Sequence, residues 1–222
     1  MSFQNLLLLQ NLYRLKAIGF EYSDTFSINE TNLHIASSSM DELKQNILSC
    51  HLCDLSKSRT QSMVGVGNEN ADLMIIDFCV SVSDDIKNSY YTGRSGDILK
   101  SMCQNVLKLK LEDTYFTHSV KCKPLNSNLP SASEVKSCKA YLLNQIELVK
   151  PKIIITLGKE AYENLTSEFG NFENVRGLVC NFKDYKLVPI YHPSYLLRNP
   201  ELKTTTLNDL QTIKRYLWIK YF

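Results

Sequence analysis

Four short apolar runs recur along the chain: Leu73–Phe78, Tyr115–Val120, Lys152–Leu157 and Leu187–Tyr191. Each has the length and the β-branched or aromatic content of a strand. Helical spacing fills the gaps between the first three, over Gly96–Leu109 and Ser133–Val149. The second of these helices is preceded by Ser131-x-x-Glu134, a capping-box spacing in which each side chain satisfies an amide at the helix end. A shorter helix starts at Lys159, and a hairpin-like piece, Val179–Lys186, leads into the fourth run. Alternating strands and helices predict a parallel α/β sheet, because parallel strands need long crossovers. Open sheets of that kind bind ligands beyond the carboxyl ends of their strands.

Upstream, residues 2–18 have an amphipathic stripe (Phe3, Leu6, Leu7, Leu9, Leu12, Tyr13, Leu15) that predicts a helix. A polar stretch, Ser23 to Ser39, reads as a linker, and a further short helix, Asp41–Leu48, leads to Cys50. The expected organisation is an N-terminal extension over 1–45 and one α/β domain over 46–222. Composition agrees with one well-filled core: 222 residues, 44% hydrophobic and 22% charged. The longest apolar run near the start, Leu6–Leu9, is far too short for a membrane span or an export signal, so a cytoplasmic monomer without a membrane partner is expected. Net charge is only +2, but residues 51–222 hold 22 basic against 18 acidic groups. That is a mild lean towards anionic partners.

The predicted strand ends place Phe78-Cys79-Val80-Ser81, His118, Gly158 and His192 around one crevice. The fourth strand stops on His192-Pro193-Ser194 and continues at once into Leu196, Leu197 and Arg198. Seven cysteines, an odd number, argue against a disulfide framework in a chain without an export signal. Four of them form a two-plus-two arrangement, Cys50-x-x-Cys53 with Cys122 and Cys138. Four thiolates so arranged suit tetrahedral zinc or a cubane iron–sulfur cluster, and spacing does not choose between them. Cys79, Cys103 and Cys180 have apolar neighbours and are expected in the core.

From Cys50 to about Lys214 the chain resembles the family-4 uracil-DNA glycosylases, the iron–sulfur class of bacteria and archaea. The segments that carry the resemblance are "CHLCDLSKSRT", "VGVGNENADLMII", "YYTGRSGDIL", "YFTHSVKCKP", "SEVKSCKAYLLNQIELVKPKIIITLG", "VRG" and "YHPSYLLRNP", in family order and at family spacing. The resemblance implies a three-layer glycosylase fold around a central four-stranded parallel sheet. It implies a [4Fe–4S] cluster on Cys50, Cys53, Cys122 and Cys138, with zinc the alternative metal. It also implies a partner, DNA carrying uracil or another deaminated base, which is flipped from the stack before its N-glycosidic bond is hydrolysed. By the same carry-over His192 donates to the leaving base and Tyr91 stacks on it. Leu196 and Leu197 wedge the duplex, while Ser194 and Arg198 hold phosphates. Apart from the resemblance, the positive charges of Lys57, Arg59, Lys121 and Lys123 offer further phosphate contacts.

Three places depart from the family pattern. The mildest is Tyr90-Tyr91 where the family has Pro-Phe, which keeps stacking but adds a phenolic hydroxyl to the pocket. The other two bear on the chemistry. The first motif, normally Gly-Glu-(Ala or Gly)-Pro-Gly, reads Asp77-Phe78-Cys79-Val80-Ser81, so Phe78 stands in the carboxylate's place in the pocket. Asp77 lies one position earlier, and Asp84 and Asp85 follow as candidate replacements. His118 occupies the position of an asparagine that reads uracil. Its one donor and one acceptor point in nearly opposite directions, so it does not read both edge atoms at once. The expectation is a base-excision repair glycosylase with impaired or altered activity; the alternatives are a non-catalytic iron–sulfur DNA-binding module and a metal-stapled domain that does not act on DNA.

Overall fold

The structure is a computed structural model that describes residues 37–125 and 129–218. The helix expected over 2–18 and nearly all of the linker lie outside the described residues. A six-stranded sheet organises the rest. Its strands are β1 (Val66–Gly67), β2 (Leu73–Cys79), β3 (Tyr115–Val120), β4 (Ile153–Leu157), β5 (Cys180–Phe182) and β6 (Tyr185–Ile190), in the order β1-β3-β2-β4-β6-β5. The four central strands are parallel, as expected, and β1 and β5 add short antiparallel edges. The expected hairpin is present, but its second arm is the fourth core strand itself, which begins at Tyr185.

Side-chain alternation along the strands divides the core into two layers. Met74 and Ile76 of β2, Ile154 of β4 and Leu187 of β6 face one side. There they meet α1 (Met40–Leu48) and α4 (Ala132–Val149), which bring Leu43, Ile47, Leu142 and Ile146. Leu73, Ile75, Phe116, Ile153, Ile155, Val188 and Ile190 face the other side. That layer is closed by α3 (Gly93–Ser101), a wide π-helical turn over Met102–Leu107, and α7 (Lys203–Trp218). Each fully buried aliphatic side chain contributes about 1.5–3 kcal/mol, so the alternation fixes the register strongly. The predicted helix over 96–109 therefore begins earlier, at Gly93, and changes hydrogen-bonding pattern at Met102. The capping box at Ser131 and Glu134 forms, with the Ser131 amide donating to Glu134 Oε2 at 2.7 Å. Among the described residues no helix is long and apolar enough to cross a membrane.

Three short helices complete the described chain. They are α2 (Val82–Lys87), α5 (Gly158–Thr166) and α6 (Pro193–Arg198), and each starts at or just beyond a parallel strand's carboxyl end. The turn into α5 is tight. Gly158 has φ +85°, and a Cβ there would lie 3.2 Å from the His192 Cβ, so only glycine lets β4 and β6 end this close together.

Candidate active site and cysteine cluster

The rows of side chains on the α3/α7 face change character at the strand ends. Leu73 and Ile75 are followed by Asp77, Phe116 by His118, and Val188 and Ile190 by His192, each two residues on and hence on the same face. Beyond them lies a cavity of about 630 Å³ whose walls include Asp77, Phe78, Tyr91, Phe116, Glu160 and His192.

His192 and Asp77 form the polar centre of this cavity. His192 Nε2 lies 3.2 Å from Asp77 Oδ1 and 3.3 Å from Oδ2. The Ser194 amide donates to His192 Nδ1 at 3.0 Å, which places the neutral ring's proton on Nε2, facing the carboxylate. The Ser194 hydroxyl is 2.7 Å from the same Nδ1. Burial alone would lower the His192 midpoint, but the charge and hydrogen bond of Asp77 outweigh it and the net shift is upward. Burial would likewise raise Asp77, yet His192 and the Phe78 amide, which donates to Oδ1 at 2.7 Å, hold it below the ordinary carboxylate range.

Aromatic groups form the apolar wall. Tyr91 sits at φ +59°, a left-handed conformation costly for a bulky residue, and its ring lies 4.6 Å from Phe116. Phe78 is half-buried and joins the same wall. His118 is placed differently. It is 1% exposed, its ring lies 5.9 Å from Tyr90 in a stacked arrangement, and neither ring nitrogen has a hydrogen-bond partner. Burial pushes it down to about 4, so it is neutral at physiological pH. It borders Asp77 in the ladder but lies outside the cavity lining.

The structure separates the other candidate carboxylates. Asp84 reaches the cavity wall, but its oxygens accept from the Thr92 amide at 3.1 Å, the Thr92 hydroxyl and the Ser81 hydroxyl. Asp85 is outside the lining. It is 3% exposed and accepts from the Thr60 amide at 3.2 Å and the Thr60 hydroxyl at 3.0 Å, with Lys123 Nζ at 4.0 Å. Both stabilise the turn after β2, so their side chains point inward to backbone donors.

The α6 segment also corrects one expectation. Leu196 is 1% exposed and packs in the α3/α7 core layer, so it is not a wedge. One helical turn cannot expose both Leu196 and its neighbours, and here the outward positions are Tyr195, 41% exposed, and Arg198, with Leu197 half-buried. Lys121 is no phosphate contact either. Its side chain is buried, donates to Thr117 and Gln145 and to the His118 carbonyl, and is pushed down to about 7 by burial. Arg59 donates to Cys122 Sγ at 3.1 Å and to the Cys50 carbonyl at 2.8 Å.

Cys50, Cys53, Cys122 and Cys138 all line one small cavity together with Arg59 and Tyr141. The Lys121 amide donates to Cys138 Sγ at 3.3 Å. Among the described residues no three His, Cys, Asp or Glu side chains stand close enough to hold a single metal ion. Of the remaining cysteines, Cys103 is core, as expected. Cys79 instead borders the large cavity, and Cys180 is half-buried on the edge strand.

The family model of the Uracil DNA glycosylase superfamily matches residues 64–212, two thirds of the chain. The chain belongs to that superfamily. A Type-4 uracil-DNA glycosylase of Archaeoglobus fulgidus is 33% identical over 183 residues, spanning 79% of this chain and 92% of that protein. One of Thermotoga maritima is 30% identical, spanning 80% and 94% respectively. A DNA polymerase of Bacillus phage SP01 is 28% identical over 73% of this chain but only 18% of its own length. In this superfamily member the model match begins after Cys50 and Cys53, so the cysteine cavity joins the matched region to the segment before it.

Neither the contact of Asp77 with His192 nor the place of Glu160 on the cavity wall is marked by a motif. Asp77 was legible from strand parity with His192.

Proposed function

We propose that this protein is a base-excision N-glycosylase that acts on DNA carrying uracil or another deaminated base, and that it releases uracil slowly. The observation that carries this reading is the His192–Asp77 pair, set at the carboxyl ends of the parallel strands in a cavity with aromatic walls. A flipped base entering there meets Tyr91, Phe116 and Phe78, three apolar surfaces suited to its π-face. As the bond between base and sugar breaks, negative charge grows on the base, and a preorganised donor such as His192 Nε2–H lowers that barrier. Asp77 fixes the ring's orientation and favours its charged form. Arg198 and Tyr195, exposed at the rim, face where a strand would pass.

Slow release follows from what the cavity lacks. Phe78 brings no carboxylate, and the donor nitrogen of His192 already contacts Asp77. His118, neutral and covered by Tyr90, does not present a paired donor and acceptor to a base edge. That same occupied donor favours a second reading, a DNA-binding module without hydrolysis.

The four cysteines fit an iron–sulfur cluster. All four border one small cavity, and a set of four thiols is the donor set such a cluster takes. Arg59 and the Lys121 amide supply the hydrogen bonds to sulfur that such clusters use. When bound, the cluster would cross-link the segment before β1 to the loop after β3 and the start of α4. The deciding experiment incubates the protein with uracil-containing oligonucleotides and reads strand cleavage and retention separately. Cleavage supports the glycosylase, and salt-sensitive retention without cleavage supports the binding module.

A further inference from the structure

We propose that Glu160 is the carboxylate that activates the attacking water, supplied from the turn after β4 in place of the one missing at Phe78. The inference rests on the glycosylase reading above. Four carboxylates border the cavity, and three are already engaged. Asp77 is held by His192 and the Phe78 amide, and Asp84 by Thr92 and Ser81. Glu173 accepts from the Tyr191 hydroxyl at 2.5 Å and lies 3.5 Å from Arg176 Nε. Glu160 is exposed and makes no hydrogen bond or ion pair among the described residues.

Topology puts it in the middle of the crevice. β4 lies between β2, which carries Asp77, and β6, which leads to His192. Gly158 brings the α5 turn against His192: a Cβ there would lie 3.2 Å from the His192 Cβ and 3.5 Å from Glu160 Oε2. The Glu160 charge raises both His192, just beyond β6, and Cys79, at the end of β2. A carboxylate so placed also stabilises positive charge on the sugar. In the step itself the bond from C1′ to the base nitrogen (N1 of uracil, N9 of a purine) breaks and its electron pair leaves with the base, which accepts a hydrogen bond from His192. Water oxygen then bonds to C1′, and the water proton passes to the Glu160 carboxylate and on to solvent or the departing base. An acidic residue in a helix's first turn also favours the helix dipole. That role alone predicts a small loss of stability and no loss of chemistry.

The test compares the full-length protein with E160Q, E160A, D77N and H192A in single-turnover cleavage of oligonucleotides bearing uracil, hypoxanthine or xanthine. DNA affinity is measured by anisotropy and folding by thermal melts. Because Glu160 is exposed, its variants fold. Loss of a general base costs about 10²–10⁴-fold, so E160Q and E160A should cleave at least a hundredfold more slowly with DNA affinity unchanged. Formate should restore part of the E160A rate and none of the H192A rate. Cleavage by E160Q within threefold of the wild type, with D77N inactive, overturns the assignment in favour of Asp77 and leaves the glycosylase reading intact. No cleavage by the wild type on any of these bases removes both.

Discussion

Replacing Asp77 by Asn tests the polar centre of the cavity directly. At 3.2 Å a unit charge pair is worth about 5 kcal/mol at an effective dielectric of ~20. Desolvation of two groups whose side chains are only 29% and 18% exposed cancels much of that. What survives is of the order of a charge-assisted hydrogen bond, about 1.5–3 kcal/mol, and the amide oxygen of Asn keeps a neutral bond of about 0.5–1.5 kcal/mol. The expected loss is therefore about 1–2 kcal/mol, or about 2–8 °C in Tm for a protein of this size.

The pH dependence gives this prediction its sign. The His192 midpoint is raised in the folded state, so its contribution is complete below the unfolded value of about 6.5 and fades as pH rises through the folded midpoint. Asp77 is lowered, so its contribution is present above about 3.9 and fades as pH falls through its folded midpoint. Both are present together between about pH 4 and 6.5. D77N should then cost most near pH 5.5 and less at pH 8.5, measured by thermal melts followed by circular dichroism. The His192 ring, titrated by NMR, should move to a lower midpoint, because burial and Arg198 then oppose only the remaining charge of Glu160. An equal loss at both pH values, or an unmoved His192 midpoint, would refute the pairing argument.

Other perturbations separate packing from contact with DNA. Leu196→Ala should cost about 2–5 kcal/mol in denaturant melts, as for a buried leucine. Tyr195→Ala should cost about 0.5–1.5 kcal/mol, the worth of its ring contact with Tyr191, yet weaken duplex binding in anisotropy. Arg198→Ala should reduce the slope of log affinity against log salt by about one. Purified protein should be brown, with broad visible absorbance, and Cys50→Ser or Cys138→Ser should lose that colour together with thermal stability; a colourless wild type containing zinc would overturn the cluster.

The layered fold was legible because alternation and helical spacing are local signals. Tyr115–Val120 matches its predicted strand at both ends, and the capping box marked the start of α4 to within one residue. Contacts between distant segments were less legible. No pattern in "SYLLRNP" shows that Leu196 turns inward; that depends on where α7 lies. Asp85 looked available in sequence, whereas Thr60 and Lys123, far from it in the chain, occupy it. Lys121 looked like a phosphate contact until Gln145 and Thr117, on α4 and β3, enclosed it. In each case a tertiary partner outweighed the residue type.

Strand parity also makes the two departures from the family pattern that bear on the chemistry parts of one change. β2 stays in the ladder as far as Cys79, which pairs with Val120, so no glycine–proline turn interrupts the alternation. A carboxylate at 77 therefore points to the same face as Leu73 and Ile75, where His192 lies, whereas position 78 belongs to the other parity. Moving the acid by one residue does not weaken the same contact; it exchanges a partner in front of the base for a partner of the imidazole. On the neighbouring strand, Asp77 pairs in register with His118, and its charge is the largest effect holding that buried ring up against desolvation. The two substitutions, far apart along the chain, thus sit side by side on one rung of the sheet, and the α5 turn that follows β4, on the other side of β2, brings Glu160 to the same cavity.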